Sequence, residues 1–213
     1  MNRKHSTLVI VAFALVLLFL PGCSGKKKVA VQEEKKESLA CIAVIPTETP
    51  IDLNVHISYQ QAQPLEKGAA HVDTILMETL GGTGQFRFAT QKQMDAAMDG
   101  KKGVRLDQLK SVANTLSCNG VLTTSVNRYR QRVGSALSVD SAASATIQMK
   151  LISVVDGQVL WEDVFNETQQ PLLSNLFSFN KASQRGLKWI TVEELASDGV
   201  KEMLARCPYI EAQ

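Results

Sequence analysis

Thirteen consecutive apolar residues occupy positions 8–20, after Arg3 and Lys4 and immediately before Pro21-Gly22-Cys23. As a helix this run extends only ~20 Å, short of the ~30 Å hydrocarbon core that an ordinary membrane span must cross. A basic start, a short apolar stretch and a small-residue site together make a secretory signal over residues 1–22. Whatever the chain folds into is therefore built from the residues that follow, in a disulfide-permissive compartment. The charge is also reset. Of 23 Lys+Arg and 21 Asp+Glu, the signal removes two cations and no acid, leaving a formally neutral remainder. A neutral chain lacks the electrostatic footprint of a nucleic-acid binder. Fewer than 200 residues remain, which suits one globular domain with a core of its own.

Leu20-Pro21-Gly22-Cys23 resembles the lipobox of bacterial lipoproteins. That resemblance implies cleavage before Cys23, diacylglycerol on its thiol and an acyl chain on the new amine. It also implies a membrane partner reached through the lipid. Two or more acyl chains hold firmly where one is marginal, at ~0.8 kcal/mol per buried CH₂. Ser24 follows the cysteine, and lipoprotein sorting then implies the outer membrane, facing the periplasm. Residues 23–38 form a charged tether, with Lys26, Lys27, Lys28, Lys35 and Lys36 against Glu33, Glu34 and Glu37. Its composition cannot bury enough apolar surface to fold alone. Lys26, Lys27 and Lys28 suit a solvated linker, or contact with anionic headgroups at ~1 kcal/mol per Lys.

The domain is expected over residues 39–210. Cys41-Ile42-Ala43-Val44-Ile45 is a continuous apolar run stopped by Pro46, the pattern of a strand buried on both faces. Pro64 is expected to open a helix with Leu65, Ala69, Val72, Leu76 and Leu80 on one stripe. Gly81-Gly82 should end it through a positive φ. Phe86 and Phe88 mark a second strand, and Thr90 with Gln93 forms a capping box before Met94, Ala97 and Met98. Leu106, Leu109, Val112, Ala113 and Leu116 give another helix, which Asn119-Gly120 stops before a strand from Val121. Residues 135–144 read as a loop or a frayed strand end. Ile147, Met149 and Leu151 alternate toward Asp156-Gly157, a two-residue hairpin signal, and Val159 begins the returning strand. Thr191 and Glu194 cap a last helix through Leu195, Val200, Met203 and Leu204. The expected fold is α/β, with a single mixed sheet of about five strands, three or four flanking helices, and the order β-α-β-α-β-β-β-α.

Ile42-Ala43-Val44-Ile45-Pro46, Gly84-Gln85-Phe86-Arg87-Phe88, Asn119-Gly120-Val121-Leu122 and the hairpin from Leu151-Ile152 through Gly157 to Val159-Leu160-Trp161 occur in that order. Together they resemble an α/β domain shared by the TolB N-terminal domain, the curli-secretion lipoprotein, the penicillin-binding-protein activator lipoproteins and ring-forming exopolysaccharide lipoproteins. The resemblance implies a non-enzymatic accessory or scaffold that binds envelope proteins. Its alternative is a homo-oligomeric ring or collar of an export system. A membrane pore of the curli type would need strands of ~9–11 residues with lipid-facing apolar alternation, and residues 130–145 are charged and Ser/Ala-rich instead.

Chemistry-bearing residues are sparse. After cleavage only His56 and His71 remain, and Asp73 lies two positions beyond His71, off its helix face. Ser138, Asp140 and Ser141 have no histidine at triad spacing, so an envelope hydrolase is the minor alternative. Gly81-Gly82-Thr83-Gly84 closes a helix and precedes a strand, the reverse of a nucleotide loop. No catalytic residue, metal, cofactor or small-molecule substrate is expected. Cys41, Cys118 and Cys207 lack the close pairs of a metal site, and an exported chain favours a disulfide. All three lie at strand starts or helix ends and could approach one sheet edge, so one of the three pairs should bridge. The remaining feature is residues 169–189, an amphipathic helical insertion. It places Leu172, Leu173, Leu176, Phe177, Phe179 and Trp189 beside Lys181, Arg185 and Lys188. It serves either as core packing or as the surface that docks a partner.

Overall fold

A three-residue strand, paired in parallel on both sides, contributes to two cores. The computed structural model describes residues 38–50, 57–97, 105–135, 138–169 and 189–210, all within a compact unit spanning Ser38–Gln213. The elements are β1 (Ile42–Val44), α1 (Tyr59–Leu80), β2 (Phe86–Phe88), α2 (Gln91–Ala97), α3 (Arg105–Thr115), β3 (Gly120–Arg130), β4 (Val133–Gly134), β5 (Val139–Ser141), β6 (Ser144–Ser153), β7 (Val159–Thr168) and α4 (Val192–Arg206). A five-stranded mixed sheet runs β2-β1-β3-β6-β7, and β4-β5 form a separate ribbon. β1 pairs in parallel with both neighbours, Ile42 lying opposite Phe86 on one side and Gly120 on the other. β3, β6 and β7 form an antiparallel meander. This is the α/β class read from the sequence, with four helices among the described residues.

Two cores lie on opposite faces of the sheet. Ile42 and Val44 join Leu122, Val126, Ile147, Met149 and Leu151 in a core covered by α1 and α4. Cys41, Ala43 and Ile45 point the other way, to Met94 of α2 and Leu109, Val112 and Ala113 of α3. That is why β1 reads as an unbroken apolar run. In β6 the inward residues Ala145, Ile147, Met149 and Leu151 are fully buried, while Thr146, Gln148 and Lys150 on the outer face remain partly exposed. A register shift between Val126 and Arg128 exposes Asn127 and returns Tyr129 to the core side.

Several local expectations are corrected. Pro64 does not open α1. The helix begins at Tyr59, where the N–H and the hydroxyl of Ser58 both donate to Gln61 Oε1, at 3.1 and 2.9 Å. Pro64 then lies on the exposed face, so the carbonyl of Gln60, left without its helical donor, remains toward solvent. Gly81 ends α1 in the right-handed region, at φ −66° and ψ −19°. The Thr83 N–H and hydroxyl cap Leu80 O instead, at 3.2 and 3.0 Å. α3 stops at Thr115, before Asn119-Gly120, through Ser117 at φ 54°. Residues 135–144 contain β5 and the start of β6. The β6–β7 turn has four residues rather than two: Ser153 N–H donates to Gln158 O, and Gly157, at φ 79°, closes the turn by donating to Ser153 O.

The chain enters this unit beside β1, where its first residues are fastened several times. Cys41 is bonded to Cys118 with a Cα–Cα distance of 4.5 Å. Asn119 Nδ2 donates to Ser38 O at 3.0 Å, and Asn119 Oδ1 accepts the Cys41 N–H at 3.2 Å. The backbone N–H groups of Asn119 and Gly120 both donate to Cys41 O. Gln85 Nε2 reaches Leu39 O at 3.3 Å and Tyr209 O at 3.1 Å. Cys207 ends α4 at this same end but on the opposite face, buried in the α1–α4 core. The gathering of three cysteines at one edge is therefore corrected. Their elements share an end of the sheet and not a face.

The bridge spans 77 residues of sequence. Loop-closure entropy assigns it about 4.5 kcal/mol. Cys41→Ser or reduction should lower the unfolding free energy by that amount, measured by denaturant titration with and without reductant. An unchanged midpoint would contradict it.

Candidate functional site

The far end of the sheet carries a groove assembled from three elements. α1 contributes Gln63, Pro64, Lys67 and His71; the end of β3 contributes Tyr129 and Arg130, with Gln131 following; α4 contributes Val192 and Glu193. The groove holds about 540 Å³. Tyr129 forms its floor, only 6% exposed. The ring fits because α1 has a glycine above it: a Cβ on Gly68 would lie 2.7 Å from Tyr129 Cγ and Cδ2. Burial, aided by the nearby charge of Glu193, pushes the Tyr129 phenol well above its ordinary range and keeps it neutral.

Hydrogen bonds join the walls. Gln131 Oε1 accepts the N–H of Val192 at 3.1 Å, and Gln131 Nε2 donates to Glu193 Oε2 at 2.8 Å. One side chain thus ties the end of β3 to the first turn of α4. The Thr191–Glu194 capping box does the rest, Thr191 Oγ1 accepting the Glu194 N–H at 3.2 Å and Glu194 Oε2 accepting the Thr191 N–H at 2.9 Å. These α4 donors are satisfied by the protein itself, so the helix start is not an open anion site. His71 Nε2 lies 3.2 Å from the carbonyl oxygen of Glu193, its ring centroid 6.5 Å from that of Tyr129. Burial opposes ionisation of Glu193. Its own N–H, Gln131, Thr191 and His71 outweigh that and hold the carboxyl below its usual value.

His71 and Glu193 are each engaged in bonds that join helices, and no Ser or Cys lies among the lining residues. Asp73 faces away, its Oδ1 accepting the Thr47 N–H at 2.8 Å. Lys67 and Arg130 are exposed on the rim. Among the described residues no three His, Cys, Asp or Glu side chains are grouped to hold a metal, and no helix is long and apolar enough to cross a membrane. A second groove, of about 580 Å³, lies at the opposite end between the last turns of α1 and α4 and edge strand β2. Its apolar surface comes from Leu80, Phe86, Leu204 and Ile210.

The other residues singled out in the sequence fall as follows. Cys23, Lys26, Lys27 and Lys28 lie outside the described residues, as do His56, Leu172, Leu173, Leu176, Phe177 and Phe179. Trp189 is half-buried, and Ile190 beside it is buried in the α1–α4 core. Gln169 Oε1 accepts the Ile190 N–H at 3.0 Å, and Gln169 N–H donates to Ala143 O. The two flanks of the 169–189 segment therefore meet just before Val192 and Glu193. Sequence reading missed the groove because its residues are scattered over three elements.

No family model and no curated protein matches the chain. Solved structures similar to it include the PelC dodecamer from Paraburkholderia phytofirmans, at 16% identity over 82% of this chain and 89% of that one, TM-score 0.46. The LpoB C-terminal domain from Escherichia coli is similar at 15% identity over 62% and 86%, TM-score 0.37. Lipoprotein GNA1162 from Neisseria meningitidis is similar at 14% identity over 70% and 94%, TM-score 0.36. At these scores no residue role is carried from them to this chain.

Two outcomes follow from the site. Gly68→Ala gains helix propensity of up to ~1 kcal/mol but forces the root of the Tyr129 side chain to move, so a net loss of about 1–2 kcal/mol is expected in thermal or denaturant unfolding. Burial raises the Asp73 carboxyl above its usual value, against hydrogen bonds from Thr47 that lower it. The folded state therefore holds this proton more tightly than the unfolded chain. Its stabilising contribution is full below the unfolded pKa of about 4 and is lost as pH rises through the raised folded value. Asp73→Asn should flatten that part of the stability–pH curve, and an unaltered slope would contradict the assignment.

Proposed function

We infer that this protein is a lipid-anchored, non-catalytic accessory of the bacterial cell envelope that captures a protein partner at the end of its domain opposite the anchor. The carrying observation is the direction of β3. Gly120, where β3 starts, lies beside Ile42 and Ser38, the end at which the tether joins. Arg130 and Gln131, where β3 finishes, line the Tyr129 groove with α4. Eleven strand residues separate the two ends, a distance of ~35 Å. Lipidation of Cys23 supplies the location, and residues 24–38 connect it to the domain. The outer membrane and periplasm are the proposed setting, on the strength of the lipobox and Ser24.

Recruitment of this kind needs a surface rather than a reaction. The groove combines an aromatic floor with a polar, partly cationic rim, a composition suited to a protein segment. The 169–189 segment, with Leu172, Leu173, Leu176, Phe177, Phe179 and Trp189, is the proposed companion contact, because its flanks meet beside the groove.

Photo-crosslinking amino acids placed in cells at Lys67 and Arg130, and separately at Glu78 and Lys201, test the reading. Adducts of a defined mass should form at the first pair and be absent at the second. Capture only at Glu78 or Lys201 would move the contact to the tether end and overturn the assignment. In the same cells Cys23→Ser should shift the protein from the membrane fraction to the soluble one.

A further inference from the structure

β7 is a ten-residue strand at the edge of the sheet, with no strand beyond it among the described residues. Long edge strands present unpaired N–H and C=O groups that a second copy can bind. Val159 and Val164 on this strand are 51% and 49% exposed, which would reward such pairing. The side chains of the strand work against it. Val164 N–H, instead of facing out unsatisfied, donates to Asp163 Oδ1 at 2.8 Å. Asp163 stands opposite Met149, on the side of the strand that faces the core. Its Oδ2 accepts Arg206 Nε at 2.8 Å and lies 2.7 Å from Arg206 Nη2. Glu202, one turn earlier on α4, holds the other arm of Arg206 at 2.7 Å. On the outer face, Glu162 is drawn back to Lys150 and Gln148, and Asn166 to Arg128 and Thr146.

We propose that Asp163, held by Arg206, is an edge-closing residue, and that β7 is a self-recognition surface kept shut by it. The geometry names the occupant. In an antiparallel strand, alternate residues turn both backbone groups outward, so Val164 lies in the outward set with Glu162 and Asn166. A two-fold axis at Val164 would set Val164 against Val164 of a second copy, with Glu162 facing Asn166 and no like charges opposed. The strand is therefore complementary to itself apart from the occupied amide and the inward carboxylate. A charged residue on the core side of an edge strand is a known means of discouraging pairing. Here it also takes up the central donor that pairing would use.

Sedimentation of the full chain in detergent, over a range of concentrations, tests this. Asp163→Ala should shift the population from the wild-type mass toward twice that mass, with an unchanged circular-dichroism spectrum. Arg206→Ala, which frees the carboxylate to leave the amide, should shift it in the same direction by less. Adding Val164→Pro to Asp163→Ala should reverse the shift, because an outward-facing amide can be lost without breaking the β6 ladder. Wild-type masses for both single variants would overturn the proposal. So would association that persists with proline at 164.

Discussion

Everything in this domain is arranged around β1, a strand of three residues buried on both faces. Ile42 and Val44 belong to one core, and Ala43 with the flanking Cys41 and Ile45 to the other, so the strand couples the two helix layers, as Val121 and Leu122 of β3 do beside it. Three residues of parallel pairing on each side is little for an element in that position. The chain compensates at the strand's start. The Cys41–Cys118 bond, the two-way contact of the Asn119 side chain and the Gln85 amide all act within four residues of Ser38. Removing any one leaves the others, so the fastening is redundant where the tether joins.

That fastening gives the domain a polarity. At the β1 end the helices finish and the second groove opens. The far end is built differently. There Gln131 and the Thr191–Glu194 box consume the backbone donors of α4, Glu193 is held ionised by its neighbours, and Tyr129 is kept neutral by burial. What remains exposed is a rim of Lys67 and Arg130 around the buried Tyr129. A partner bound there meets a rigid surface whose internal polar groups are already satisfied, so little ordering accompanies binding.

Much of the fold was legible because the chain signals it locally. The doubly apolar β1, the stripe on α1, the alternation of β6 and the Thr90 and Thr191 capping boxes each follow from one short stretch of sequence. The errors arose where a local rule met a competing interaction. Pro64 signals a helix start, yet on an exposed face it costs a single helical hydrogen bond and the Ser58–Gln61 contact begins the helix earlier. Gly81-Gly82 signals a left-handed helix end, whereas Gly81 is right-handed and Thr83 caps Leu80 O instead. Asp156-Gly157 was read as a two-residue turn, but Val154 belongs to the α2–α3 core and widens the loop. The sequence groups Cys207 with the other cysteines because its helix ends at the right level, and spacing does not reveal which face a helix covers. The groove was not legible at all, since Tyr129, His71 and Val192 come together only through the register of β3 and the packing of α1 against α4.

The central claim is that Ser38, where the proposed tether joins, and the Tyr129 groove lie at opposite ends of one unit. Fluorophores placed singly at Glu78 and at Lys67, on lipidated protein in vesicles containing headgroup-linked quencher, report it directly. The account predicts strong quenching at Glu78 and weak quenching at Lys67. Equal quenching, or stronger quenching at Lys67, would contradict it.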